Sequence, residues 1–153
     1  MATGTKTAIK TATTSDTAAA IAGRLRISAT RLARTLRREA DTGLSPSQLS
    51  ILATIDTHGA MTLGELATHE RVAPPSITKV ISKLETAGLV TRSADAGDRR
   101  VTRVALTATG ATLLRESRRR KDAWLANRLA QLGADDRARL AAALDVLEGL
   151  TGP

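Results

Sequence analysis

V-A-P-P-S-I-T-K-V-I-S-K-L-E-T-A-G-L-V-T-R, from Val72 to Arg92, runs directly into S-A-D-A-G-D-R-R-V-T-R-V-A-L-T, from Ser93 to Thr107. Pro74 and Pro75 suit the opening of a helix, because the first turn has no partner for an N–H and proline brings none. Ile77, Val80, Ile81 and Leu84 follow at i, i+3, i+4 and i+7, the spacing of one buried helical face. Ser76, Thr78, Lys79, Ser82, Lys83 and Thr86 are left on the outer side. Gly88 suits a left-handed stop. Leu89–Arg92 and Arg100–Leu106 then read as antiparallel strands around a charged, glycine-bearing turn, Ser93–Arg99. A helix whose free face can hydrogen-bond, followed at once by a basic hairpin, has the parts needed to read a DNA groove and grip the backbone beside it.

Working upstream, Ser45-Pro46-Ser47-Gln48 carries a capping serine, a proline for the first helical position and a glutamine that can close a capping box. Leu49, Leu52 and Ile55 are the inward face of that helix, which stops near His58-Gly59. Thr62-Leu63-Gly64-Glu65 is a second capping box, with Leu63, Leu66 and Ala67 inward. Arg71-Val72-Ala73 is a tight turn. A short helix, a tight turn and a second amphipathic helix bury two stripes against each other and leave the second helix free to enter a major groove. Ser76, Thr78 and Lys79 lie at its leading end, where side chains reach base edges first. Serine and threonine discriminate weakly, and Lys79 favours guanine O6/N7 or a phosphate. Lys83, one turn on, suits phosphate, and backbone N–H groups near Thr62 and Pro74 are expected to add phosphate anchors. Asp98 stands two residues before Arg100. It can hold that arginine in a fixed direction, as entry into a narrow minor groove requires, or form a surface ion pair worth about 0–1 kcal/mol.

The flanks set the organisation. The expected segments are a disordered tail over 1–16, a dimerisation helix within 17–43, a winged helix-turn-helix over 44–106, and a long linker helix plus a C-terminal dimerisation helix over 107–153. The fold class is mainly α with a small β-hairpin wing. Ile21, Leu25, Leu32 and Leu36 form one apolar stripe, and Leu140, Leu144, Leu147 and Leu150 another. Thr107 caps a helix reaching about Leu132, and Gly133 separates it from the last one. Neither stripe has a partner in a lone lobe. Pairing across a dimer buries both; packing on each other within one chain is the alternative.

Composition narrows the function. Of 153 residues 42% are hydrophobic, and Trp124 is the sole aromatic, so the core is aliphatic, which suits helices. The net charge is +8, and from Thr91 to Lys121 nine basic residues face three acidic ones. That +6 segment is the footprint of a protein that meets a polyanion, or a well-solvated basic surface. Absent cysteine excludes thiol redox sensing, and two histidines are few for a metal site. No metal or cofactor is expected. The N-terminal residues lack an apolar signal core, so a cytoplasmic protein is expected, with no membrane partner. No P-loop, dinucleotide-binding glycine pattern or nucleophile motif is present, which argues against an enzyme.

Several words together carry a family resemblance: T-L-G-E-L-A at Thr62–Ala67, P-S-I-T-K-V-I-S-K-L-E at Pro75–Glu85, G-L-V-T-R at Gly88–Arg92, D-R-R at Asp98–Arg100 and A-L-T-A-T-G at Ala105–Gly110. With them the chain resembles the multiple-antibiotic-resistance regulator (MarR) family of bacterial winged-helix repressors. The resemblance implies a homodimeric, sequence-specific transcriptional regulator, a repressor of palindromic operators relieved by a small lipophilic or aromatic-acid ligand. It implies a DNA surface of Thr62, Pro75, Ser76, Thr78, Lys79, Ser82, Lys83, Arg92, Asp98, Arg99 and Arg100. In it Arg100, braced by Asp98, is the minor-groove arginine, and Arg92 and Arg99 support the wing or meet phosphate. Such regulators bind effectors between the dimer helices and the DNA-binding lobe, for which Arg24, Arg31, His58 and Trp124 are the candidates here. The competing class is an architectural DNA-binding protein of low specificity without a ligand, which the basic run Arg118–Lys121 would suit.

Overall fold

The structure is a computed structural model that describes residues 17–151; the tail expected over 1–16 lies outside them. Among the described residues six helices and three strands follow in the order α1 (Ala18–Ala40), α2 (Pro46–His58), β1 (Met61–Thr62), α3 (Leu63–Glu70), α4 (Pro74–Thr86), β2 (Val90–Ala94), β3 (Thr102–Leu106), α5 (Ala108–Ala130) and α6 (Ala134–Thr151). They fall into two compact units, one ending at Thr35 and one beginning at Leu36. In the first, α1 leaves Ile21, Ile27 and Leu32 exposed and Leu25 half-buried.

The second unit holds the core. Ile51, Leu52 and Ile55 of α2, Leu66 and Ala67 of α3, and Ile77, Ile81 and Leu84 of α4 close on Met61, Leu89, Val90, Val104 and Leu114. Three of the four apolar residues expected inward on α4 are buried, and Val80 packs at the rim. Burying each such aliphatic side chain stabilises the fold by about 1.5–3 kcal/mol relative to leaving it in water. Ile51 joins this core beside Leu52, a pairing that the i, i+3 reading of α2 passed over.

The helix ends obey local chemistry. Ser45 Oγ accepts from the Gln48 N–H while Gln48 Oε1 accepts from the Ser45 N–H, and Thr62 and Glu65 repeat the arrangement at α3. After α4 the Leu89 N–H reaches the Leu84 carbonyl and the Gly88 N–H the Glu85 carbonyl, with Gly88 at φ +70°. This double closure satisfies carbonyls that the helix end orphans, and it needs a left-handed residue. Arg71 (φ +53°) performs the same turn after α3 without a glycine.

The wing differs from the expected hairpin in two respects. β3 is central in a three-stranded antiparallel sheet of order β1-β3-β2, with Met61 opposite Val104 and Val90 opposite Leu106. The two-residue β1 is too short to register as alternation in sequence. β2 also starts one residue later than expected and runs on to Ala94, and β3 starts at Thr102 while still ending at Leu106, so Arg100 lies in the turn rather than at the start of a strand. α5 ends at Ala130, short of Leu132, and α6 begins directly after Gly133.

Thr107 welds the sheet to α5. Its hydroxyl donates to the Gly88 carbonyl at 2.7 Å and accepts from the Gly110 N–H, and its own N–H donates to the Leu89 carbonyl. Gly110 packs so close that a Cβ there would fall 2.1 Å from the Leu89 carbonyl oxygen. The word L-T-A-T-G is thus a packing device: a cap, a crosslink and a helix surface with no side chain. Among the described residues no helix is long and apolar enough to cross a membrane.

Candidate nucleic-acid interface

α4 presents Pro75, Ser76, Thr78, Lys79, Ser82 and Lys83 on its exposed side, because Ile77, Ile81 and Leu84 are held in the core. The hydroxyls are not equivalent. Thr78 donates back to the Pro74 carbonyl at 3.2 Å, so it offers a partner its acceptor lone pairs. Ser82 donates to the Thr78 carbonyl and accepts from the Arg92 guanidinium at 3.0 Å, so its hydroxyl is already engaged on both sides. Ser76, Lys79 and Lys83 have side chains without an intramolecular bond among the described residues.

The start of α4 corrects one expectation. Pro74 and Pro75 have no N–H, and the Ser76 N–H is taken by the Ala73 carbonyl. The main chain there has no free donor in its first three helical positions, so a phosphate anchor at that point must come from side chains. At α3 the Thr62 hydroxyl serves as the cap, accepting from the Glu65 N–H.

Arg92 on β2 faces inward to α4. Besides Ser82 it meets Glu85 Oε2 at 3.4 Å, so it ties α4 to the sheet.

The wing turn is built on two carboxylates. Asp95 Oδ1 accepts from the Gly97 and Asp98 N–H groups at 2.8 and 3.2 Å. Its other oxygen pairs with Arg103 Nε. The Arg103 hydrogen bond, helped by the two N–H donors, holds the Asp95 carboxyl down to about 2. Asp98 Oδ1 in turn accepts from both the N–H and the Nε of Arg100, at 3.0 and 3.2 Å. The guanidinium of Arg100 is thereby fixed at its base while its side chain stays 92% exposed. Arg99 is exposed beside it.

Arg103 and Asp95 were not singled out by sequence reasoning. The D-A-G-D spacing signals a side-chain-closed turn, but nothing local shows that Arg103 crosses to the Ala60 carbonyl (3.2 Å) and to Glu65 (3.8 Å). Glu65 itself is held below the usual carboxylate range, first by the Thr62 N–H.

Part of the basic excess is paired within the chain. Arg118 bridges α5 to Asp56 of α2 at 2.8 Å, and Arg120 donates to the Ala40 carbonyl at 2.9 Å. With Arg92 and Arg103 also engaged, Lys79, Lys83, Arg99 and Arg100 are the cations presented by α4 and the wing. Of the effector candidates, Arg24 and Arg31 are exposed on α1, His58 stacks obliquely on His69 with ring centroids 4.5 Å apart, and Trp124 lies under Arg128 at 5.2 Å. His58 and Trp124 have different neighbours and are not brought together by the fold.

Comparison with known proteins gives a consistent result. The family model described as the MarR family matches residues 44–102. An HTH-type transcriptional regulator of Mycobacterium tuberculosis is 42% identical over 136 residues, covering 88% of this chain and 95% of the relative. A crystal structure of a transcriptional regulator from Pseudomonas aeruginosa is 37% identical and superposes with a TM-score of 0.78, covering 87% of this chain and 94% of that one. A MepR variant from S. aureus, bound to an oligodeoxyribonucleotide, shares the fold at 18% identity and a TM-score of 0.68, over 83% of this chain and 94% of its own.

Proposed function

The chain belongs to the MarR family of winged helix-turn-helix transcriptional regulators, and on that premise we propose that it works as a homodimer that represses transcription from palindromic operators. The observation that carries the reading is Arg100. A charge fixed at its backbone and Nε by Asp98, yet 92% exposed, is arranged to meet a partner outside the chain. A guanidinium so aimed, beside a groove-reading helix, matches the narrow, strongly negative minor groove that flanks a major-groove contact. Ser76, Thr78 and Lys79 are the base readers in this proposal, Lys83 and Arg99 the phosphate contacts.

Two further features support the finer reading. Leu140, Leu144 and Leu150 on α6 are exposed in a single chain, and a two-fold partner covers them while setting two recognition helices on successive half-sites. A cavity of about 510 Å³ lies between the end of α1 and α5, lined by Ala40, Thr42, Thr112, Leu113, Ser117 and Arg120. The Ser117 hydroxyl is buried there without a partner among the described residues, and Arg120 adds a cation. Asp41 and Glu116 line the same cavity and offset Arg120, so it suits a small lipophilic ligand without a net negative charge, whose binding releases DNA. Arg24, Arg31, His58 and Trp124 do not line this cavity.

The test uses a palindrome selected from a random duplex library. At fixed, near-physiological salt it should displace labelled operator far better than random DNA; equal displacement would leave only low-specificity architectural binding. Arg100→Ala should weaken operator binding roughly 10- to 100-fold, the scale of ~1–3 kcal/mol for one specific groove contact, while sedimentation still shows a dimer. Unchanged affinity would remove the wing from the reading.

A further inference from the structure

We propose that Arg103 is the positioning residue that sets the direction of the wing relative to the helix-turn-helix, acting through Asp95 and never on DNA itself. The inference rests on the wing reading of Arg100 above and extends it inward. Arg103 stands on the central strand, opposite Ser93 of β2 and Thr62 of β1. Its guanidinium has neighbours on both the β2 and the β1 side of that strand. On the wing side Nε pairs with Asp95, whose second oxygen closes the turn through the Gly97 and Asp98 N–H groups. On the helix-turn-helix side one terminal nitrogen donates to the Ala60 carbonyl and stands 3.8 Å from Glu65, the residue that caps α3 through the Thr62 N–H.

A chain of charge-assisted contacts therefore runs from the start of α3 to the tip of the wing: Thr62, Glu65, Arg103, Asp95, Asp98, Arg100. All of these contacts but the 3.8 Å ion pair between Glu65 and Arg103 are hydrogen bonds, which hold geometry better than apolar contact does. A forked guanidinium is needed at the centre, because one planar group must serve Asp95 and Ala60 at once. A lysine carries the charge as a single flexible point and cannot do both. The wing loop from Asp95 to Val101 has few other supports: the Asp95 N–H to the Val101 carbonyl and the Val101 N–H to the Asp98 carbonyl close it on itself. Its attachment to the rest of the lobe in this polar layer runs through Arg103.

The sign of one substitution separates positioning from plain electrostatics. Asp95→Asn removes a negative charge from beside the DNA surface, and charge alone then demands tighter binding. Loss of aim demands weaker binding. The experiment measures affinity of the full-length chain for the selected palindrome, for Arg100→Ala, Asp95→Asn, Arg103→Lys and the Arg100→Ala/Arg103→Lys pair. Each is repeated on a palindrome whose flanking A·T pairs are replaced by G·C, which puts an amino group in the minor groove.

The expected result is that Asp95→Asn and Arg103→Lys each lose about as much affinity as Arg100→Ala, lose their preference for A·T flanks, and add nothing to Arg100→Ala. A fold defect alone would lower affinity on both flanks alike, and thermal unfolding of each variant reports it separately. Tighter binding by Asp95→Asn, or additive losses in the pair, overturns the positioning role while leaving Arg100 in place. No loss for Arg100→Ala overturns the wing reading and the positioning role with it.

Discussion

The helix-turn-helix lobe and α6 are both leucine-rich, yet they treat that leucine in opposite ways. In the lobe Leu52, Leu66 and Leu84 are fully buried. On α6 Leu140, Leu144 and Leu150 are 41, 49 and 67% exposed, and Val146 is 65% exposed. The lobe is a closed problem: three short helices and a small sheet bury one another's faces, with side-chain caps at the starts of α2 and α3 and prolines opening α4. α6 is an open one. Its 18 residues form a helix, but a helix of that length in water owes most of its stability to a packed face. The same side chain stabilises the lobe within one chain and, on α6, awaits a second surface. The dimer proposal is the reading that closes this gap.

Substitutions that break the comparison come in a definite order. Leu84→Ala, in the lobe, should cost about 2–5 kcal/mol, seen in chemical unfolding as a loss that does not change with protein concentration. Gly110→Ala forces a methyl against the Leu89 carbonyl and should cost about 1–3 kcal/mol, again independent of concentration. A stable Gly110→Ala chain would show that α5 can slide on the sheet. Leu144→Ala should cost about 1–2 kcal/mol, but here the unfolding midpoint should shift with concentration, since binding between chains contributes by mass action. A concentration-independent loss would place the α6 face against its own chain. Ser45→Ala removes one cap and should cost about 1 kcal/mol, with no effect on association.

The acid response of the wing sharpens the contrast on a finer scale. Asp95 sits at about 2 when folded, below its ordinary 3.8. A depressed carboxyl stabilises the folded state above its unfolded value, and that contribution disappears as pH falls from about 3.8 through about 2. The Gly97 and Asp98 amide signals should therefore move with a midpoint near 2. A midpoint at the ordinary value would show that the Arg103 pair is open in solution.

The local parts of this protein were legible in its residues. Capping boxes at Ser45 and Thr62, prolines opening α4, the i, i+3, i+4, i+7 face of Ile77 to Leu84, and Gly88 as a stop all depend on neighbours within a turn or two. The outward face of α4 followed by subtraction, and the bond between Asp98 and Arg100 needed only two residues of separation. What stayed hidden depends on distance along the chain. β1 is two residues long and exists because Met61 and Thr62 find β3 forty residues later. Arg92 and Ser82 meet because α4 folds back on β2. The basic excess reads in sequence as a polyanion footprint or a solvated surface, and the fold instead turns Arg118, Arg120 and Arg103 to Asp56, the Ala40 carbonyl, and Asp95 with Ala60. Residue order determines which backbone turns and which faces exist, because those energies are local. Which cations are paired within the chain was decided only by the tertiary fold, because an ion pair needs two side chains within a few ångströms, and sequence spacing does not measure that distance.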